Sequence, residues 1–441
     1  MAIIMKFGGT SVGRPERMKK IANLVSSSPG RKVVVLSALS GTTNALVAIG
    51  DALLKKDAAK AEAEIATLEK HYLAFVDELY STEAFKAIGH EIVSRFFVFI
   101  RMLAAGEFDD KSYRELLAQG ELMSTEMFYQ HLQEIKIPSR LLPALHFMSI
   151  DENEEPELEK IAVRLKPLVD SLKNIDIIIT QGYICRNHRN EIDNLKRGGS
   201  DYTASLVGAA IRAEEIQIWT DIDGMHNNDP RIVKKTMPIS ELTFDEASEL
   251  AYFGAKILHP ATIVPAQKYN VPVRLKNTMD EKAFGTIITS KSTEGTFKAV
   301  AAKDGITAIK IKSSRMLMAY GFLRRVFEIF EQYKTPIDMI TTSEVAVSLT
   351  IDTNTNLDKI EVELKKFGSI EIDNNQTIIC IVGHQIATQK GALKKVFDAL
   401  EGISIRMVSC GGSNNNISVL VDTEYKEEAL IALNEGLFNL R

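Results

Sequence analysis

Several short strings set glycine-rich, polar turns where chemistry could be done. Lys6-Phe7-Gly8-Gly9-Thr10-Ser11 closes an apolar run and opens a helical pattern. Glycine lets the main chain approach a ligand closely, and free N–H groups at a helix start favour an anion. Lys6 could then set its charge on a phosphate. A plain strand-to-helix turn with a surface lysine explains these six residues equally well. Ser37-Ala38-Leu39-Ser40-Gly41-Thr42-Thr43-Asn44 follows the next apolar run, and its hydroxyls suit either a polar ligand or a helix cap. Arg197-Gly198-Gly199-Ser200-Asp201 opens a further helix. An Arg beside paired glycines can grip a carboxylate with two parallel hydrogen bonds, more than a simple Asp201 cap requires. The loop from Trp219-Thr220-Asp221 to Asp229-Pro230-Arg231 suits nucleotide or metal contact, although turn chemistry alone explains Asp-Gly and Asp-Pro. Gly120-Glu121 is uninformative in isolation. Lys256 and His259 end a helix, where their charges suit the dipole.

These turns need strands to hold them. Ile3–Phe7, Lys32–Leu36, Ile175–Thr180, Ile216–Trp219 and Val271–Leu275 are continuous apolar runs, the pattern of parallel strands covered on both faces. They alternate with helical patterns, which predicts a doubly wound α/β sheet. Residues 45–135 are rich in Glu, Lys, Ala and Leu and predict a helical insert beside that sheet. Composition shifts near Thr286, and SKSTEGTFK (290–298) predicts a linker. Beyond it the chain repeats itself at an offset of 70 residues. Segments 321–353 and 391–423 share nine of 33 residues without a gap, among them Gly321/Gly391, Val326/Val396 and Phe327/Phe397, where unrelated segments would share roughly two. Each copy reads β-α-β-β-α. The strand FKAVAAKD (297–304) precedes the first copy and could pair with the second, inserting one copy in the other.

Composition excludes much. The 441 residues suggest about three domains at roughly 150 each. A net charge of −5 gives no global basic surface for nucleic acid or anionic lipid. The three cysteines lack CxxC spacing, so neither a disulfide framework nor a cysteine-rich zinc site is expected. No GxG, Gly-Lys or HExxH string occurs, which removes the dinucleotide fingerprint, the Walker A loop and the zincin motif. The N-terminal apolar run is too short for a signal peptide and no 18-residue apolar run exists, so the expectation is a cytoplasmic protein without a membrane span.

Taken together the strings resemble the aspartokinase family of the amino-acid kinase superfamily. KFGGTS (6–11), SALSGTTN (37–44), RGGSD (197–201), WTDIDG…DPR (219–231), FGAKILHP (253–260) and GFL…ITTSE (321–344) occur in family order, nearly end to end. The resemblance implies a mostly parallel amino-acid-kinase domain over 1–290. Two ferredoxin-like ACT domains would follow, one over 304–375 and one over 297–303 with 376–441. It implies phosphorylation of the L-aspartate side-chain carboxylate by ATP with Mg²⁺, the ion held mainly by the nucleotide phosphates and water. Lys6 and Asp201 would be catalytic, with Gly8 and Gly9 beside the transferred phosphate. Ser37, Thr43, Glu121, Arg197 and Ser200 would hold aspartate: Glu121 suits its ammonium and Arg197 its α-carboxylate. Thr220, Asp221, His226, Arg231 and Lys256 would hold the nucleotide. Met316, Gly321, Phe322, Leu323, Asp338, Ser343 and Glu344 match effector positions, and Asp338 with Glu344 suits a lysine ammonium. The helical insert and short linker look most like lysine-sensitive, single-activity members, dimeric through their ACT domains.

Departures centre on 185–196. The family has a Thr-rich stretch before RGGSD, where this chain has Asp193-Asn194-Leu195-Lys196, and the preceding CRNHRNEI lacks the usual glycines. Those changes motivate one alternative, a catalytically weak amino-acid-sensing protein on a kinase fold.

Overall fold

The strand Ala2–Phe7 is flanked on both sides by parallel neighbours, Arg31–Leu36 and Glu215–Thr220. Its register sets Phe7 opposite both Leu36 and Trp219, and Leu36 in turn stands opposite Gln181. Four strands therefore end level, and the turns after Phe7, Leu36, Gln181 and Thr220 leave from one edge. Apolar side chains fill these strands on both faces: Ile4, Met5, Val33, Val34, Val35, Ile178 and Ile179 are all buried. The computed structural model describes residues 2–196, 198–254, 258–291, 297–312 and 320–440. It divides into two units, residues 1–225 with 257–291, and residues 226–256 with 292–441.

In the first unit the strands run in the order Ser139–Leu141, Ile177–Gln181, Arg31–Leu36, Ala2–Phe7, Glu215–Thr220, Val273–Asn277, Thr286–Thr289. The pairings are parallel until the last, where Thr286–Ile288 runs antiparallel to Val273–Leu275. The helical insert consists of Thr42–Leu54, Ala58–Leu79, Glu83–Ala105 and Asp110–Glu134. The last of these carries Glu121. It starts where the Asp109 side chain accepts from the Ser112 amide at 2.7 Å, a normal N-cap. Its Leu116, Met123, Met127, Phe128 and Leu132 are fully buried, each stabilising by roughly 1.5–3 kcal/mol. CRNHRNEI, read as a loop, is instead a hairpin: Ile184–Arg186 pairs antiparallel with Ile192–Asn194. The Asn187 side chain closes its turn by accepting from the Arg189 and Glu191 amides, so turn chemistry stands in for the absent glycines.

The second unit contains a continuous six-stranded sheet, in the order Ile340–Thr342, Ala346–Ile351, Ala299–Lys312, Ser369–Val382, Asn416–Asp422, Met407–Cys410. The duplication is visible in it. Gly321 and Gly391 both take the left-handed conformation (φ 79° and 81°) and both precede a helix. Val326 and Val396 are buried in separate cores, whereas Phe327 and Phe397 are both exposed. The segments 297–304 and 307–311, read as separate strands, form one strand of 14 residues with a register shift around Gly305, whose φ is 75°. Its first half, Ala299–Lys303, pairs with Ile378–Val382 in the second repeat, and its second half pairs within the first repeat. Residues 292–296 of the expected linker lie outside the described residues. Among the described residues no helix is long and apolar enough to cross a membrane.

Candidate active site

The level strand ends bring the expected residues of the first unit together. Lys6 Nζ lies 2.5 Å from Asp201 Oδ1, with both side chains mostly buried. A Cβ at Gly8 would stand 3.2 Å from that ammonium, so glycine keeps its approach open. Ser37 Oγ donates to Ser200 Oγ at 2.8 Å and joins the turn after Leu36 to the start of the helix Gly199–Ile211. That closeness depends on Gly182, where a Cβ would stand 2.2 Å from Ser200 Oγ. A cleft of about 480 Å³ opens here, and its lining includes Gly9, Ser37, Thr43, Glu121, Tyr183, Gly199 and Ser200. Thr220 belongs to the same edge: Thr278 Oγ1 donates to its carbonyl at 2.7 Å and bonds Ser11 Oγ at 3.1 Å. Asp221 accepts from the Thr220 hydroxyl at 3.1 Å.

Glu121 carries the most informative electrostatics. Gly120 lets its helix press on the second turn, since a Cβ there would stand 2.9 Å from Ala38 Cβ. Ser124 Oγ donates to the Ser37 carbonyl at 2.8 Å and fixes the same contact. Glu121 itself is 4% exposed, and Oε2 has no hydrogen-bond partner among the described residues. Burial pushes its carboxyl up to about 8, against hydrogen bonds from the backbone of Ala38 and of Glu121 itself that pull the other way. A buried carboxylate without a countercharge is costly, and an incoming ammonium would relieve it.

His226 and Arg231 belong to the second unit. There His226 Nδ1 bonds Thr236 Oγ1 at 2.8 Å, and Asp229 holds the Arg231 guanidinium through two contacts of 2.9 and 2.6 Å. His259 caps a helix by accepting from the Ala261 amide at 3.1 Å. Arg197, Lys256 and Met316 lie outside the described residues. Among the effector candidates, Gly321, Phe322 and Leu323 open the first repeat's helix, and the Ser343 amide donates to the Ala346 carbonyl at 2.8 Å, with exposed Glu344 between them. Asp338, whose side chain is 1% exposed, is already engaged within the second unit. Lys303 Nζ lies 2.8 Å from its Oδ1 and 2.9 Å from Asp352 Oδ2, and the Tyr252 hydroxyl donates to the same Oδ1 at 3.1 Å.

Sequence reasoning missed three participants. Tyr183 lines the cleft with a positive φ of 66°; its place directly after the strand-ending Gly182 was the available signal. Arg114 meets the hairpin acids, and its signal was an Arg seven residues before Glu121 in a chain with an unmatched Asp193. Lys303 carried no signal beyond lying in a strand.

Comparison with known proteins gives the family. The model of the amino acid kinase family matches residues 1–277, and an ACT domain model matches 379–437. The lysine-sensitive aspartokinase 3 of Escherichia coli (strain K12) is 33% identical over 455 residues, covering 99% of each chain. The chloroplastic aspartokinase 3 of Arabidopsis thaliana is 34% identical over 464 residues, covering 99% of this chain and 82% of that one. Crystal structures of E. coli aspartokinase III superpose with TM-scores of 0.86 (in complex with aspartate and ADP, R-state, 32% identical) and 0.83 (with lysine and aspartate, T-state, 33% identical). The first covers 99% of this chain and 100% of that one, the second 99% of each. With Lys6 paired to Asp201 and both comparisons running the length of the chain, this protein belongs to the aspartokinases of the amino acid kinase family.

Proposed function

We propose that the chain transfers the γ-phosphoryl group of ATP to the side-chain carboxylate of L-aspartate, giving 4-phospho-L-aspartate and ADP. The observation that carries this reading is Glu121, a buried carboxylate with one oxygen unpartnered among the described residues, in the lining of a hydroxyl-rich cleft that also takes in Gly9 from the turn after Lys6. Glu121 pairs with the substrate ammonium. Ser37, Thr43 and Ser200 bind its polar groups, and Arg197 takes the α-carboxylate. That leaves the side-chain carboxylate to point along the strand ends toward Lys6. One of its oxygens attacks the γ-phosphorus, and the bond from phosphorus to the ADP oxygen breaks. No base is required, because the attacking carboxylate is already ionised. Positioning and charge neutralisation then dominate. Lys6 supplies positive charge, oriented by Asp201, and the Gly8 and Gly9 turn leaves room beside it. Thr220 and Asp221 serve the nucleotide from the next strand end, and His226, Arg231 and Lys256 are assigned to it from the family pattern. Mg²⁺, when bound, would be held mainly by the ATP phosphates and water and would supply further charge neutralisation. Among the described residues no three acidic, histidine or cysteine side chains gather to hold a metal ion.

Regulation is proposed through the ACT repeats: lysine inhibits by binding near Gly321, Ser343 and Glu344, and the repeats form a homodimer. The family assignment and the duplicated fold support this.

The test is incubation with ATP, Mg²⁺ and aspartate in hydroxylamine, which traps an acyl phosphate as its hydroxamate. Product is expected, and lysine should reduce it. Lys6→Ala should lower kcat about a thousandfold. An absence of hydroxamate from the unaltered chain at millimolar aspartate overturns the reading.

A further inference from the structure

The Asp193 side chain, in the stretch that departs from the Thr-rich pattern the resemblance implies, is 8% exposed. A carboxylate at such a site is expensive unless a partner neutralises it. Arg114 does so: its Nε lies 3.2 Å from Asp193 Oδ2, and its Nη2 lies 3.5 Å from Glu191 Oε2. Asn187 Nδ2 reaches both acids at 3.4 Å.

The two partners belong to elements that matter to the cleft. Arg114 is on the helix Asp110–Glu134, seven residues before Glu121. At 3.6 residues per turn the two side chains share one face, about two turns apart. Asp193 is on the second strand of the hairpin, opposite Cys185. Both ends of that hairpin lead into the cleft. Tyr183, just before the first strand, lines it, and the Leu195 amide donates to the Tyr183 carbonyl at 2.7 Å. Three residues after Leu195 the chain reaches the Gly198–Gly199 turn that carries Ser200 and Asp201. Neither Arg114 nor Asp193 is among the residues lining the cleft.

We infer that the Arg114–Asp193 ion pair is a positioning clamp: it holds the hairpin against the Glu121 helix and so sets the spacing between Glu121 and the Tyr183–Ser200 wall of the amino-acid pocket. The clamp rests on the reading of that cleft as the aspartate site. It also keeps a second carboxylate from acting on the pocket. The acidic Asp193 is thus matched within the chain by Arg114, and the departure at 185–196 becomes an alternative fastening rather than a damaged loop.

The test is steady-state kinetics of the full chain with aspartate and ATP varied separately. Arg114→Ala should raise the KM for aspartate about tenfold. Its kcat should stay within about threefold and its KM for ATP should not move. Asp193→Thr should cost less, and Arg114→Ala/Asp193→Thr should lie closer to the unaltered protein than Arg114→Ala alone, because no unpaired charge remains. Arg114→Lys keeps the charge and guards against misfolding; it should recover most of the affinity. An unchanged aspartate KM in Arg114→Ala, strictly multiplicative effects in the double variant, or equal losses for both substrates would overturn the clamp while leaving aspartate phosphorylation standing. An unaltered chain that makes no acyl phosphate overturns the reading of the cleft and the clamp with it.

Discussion

Glu121 and Asp338 are buried carboxylates in different units, and both were assigned from sequence to meet an amino-acid ammonium. Each has one oxygen without a hydrogen-bond partner among the described residues. They differ in what the chain has put beside them. No described cation pairs with Glu121, and burial lifts its carboxyl to about 8. Asp338 is also pushed up by burial, but Lys303 opposes the shift from 2.8 Å, with Tyr252 on the same oxygen. One site is left in electrostatic need; the other is already supplied by a lysine of the same chain. A carboxylate's type and position announce a cation, but only the folded surroundings tell whether that cation arrives from outside.

The comparison can be broken at either end. Glu121→Gln removes the charge that a substrate ammonium would meet, and the KM for aspartate should rise about a thousandfold, roughly 4 kcal/mol for a buried charge pair. The same variant sharpens the pH argument. A carboxyl raised in the folded protein binds more protons there than in the unfolded chain, so stability is full below about pH 4.5 and is lost as pH rises through about 8. Melting without ligand should therefore fall across that window. Glu121→Gln should flatten the slope, and an unaltered slope would show that Glu121 is not the group responsible. At the other end, Lys303→Met leaves Asp338 buried without its ammonium and should destabilise the second unit by about 3 kcal/mol. Calorimetry would read this as a lower melting temperature, with the KM for aspartate unmoved. The smallest effect is expected from Tyr252→Phe, which keeps the ring and loses one hydrogen bond to Asp338, costing about 1 kcal/mol. Destabilisation by Tyr252→Phe as large as that by Lys303→Met would mean that the phenol, not the ammonium, satisfies Asp338.

What could be read from the chain follows from range. Lys6-Phe7-Gly8-Gly9 and Ser37–Asn44 were legible because apolar runs stop abruptly at glycines and hydroxyls, and parallel strands bring such stops to one edge. The duplicated unit was legible because its spacing is constant and gap-free. The hairpin at 184–194 was missed because its turn is closed by the Asn187 side chain instead of glycine, a local bond that periodicity does not register. The break expected near Asp304 was over-read, since Gly305 at φ 75° bends a strand without ending it. Partnership was the least legible. Arg114 and Asp193 are 79 positions apart, and Lys303 and Asp338 are joined only by the fold, so no window of sequence shows that their charges cancel.

The shared strands of the second unit carry a last consequence. Ala299–Lys312 and Ser369–Val382 each begin beside one repeat and finish beside the other, laced together over most of their length. The second copy completes its set of strands only with Ala299–Lys303, which precedes the first copy in the chain. Scission between the repeats would part Ala299–Lys303 from Ile378–Val382 and bare an edge of isoleucines and a valine ready to pair with other chains. Duplication has therefore left the two copies unequal: the first is continuous in the chain, and the second closes only around it.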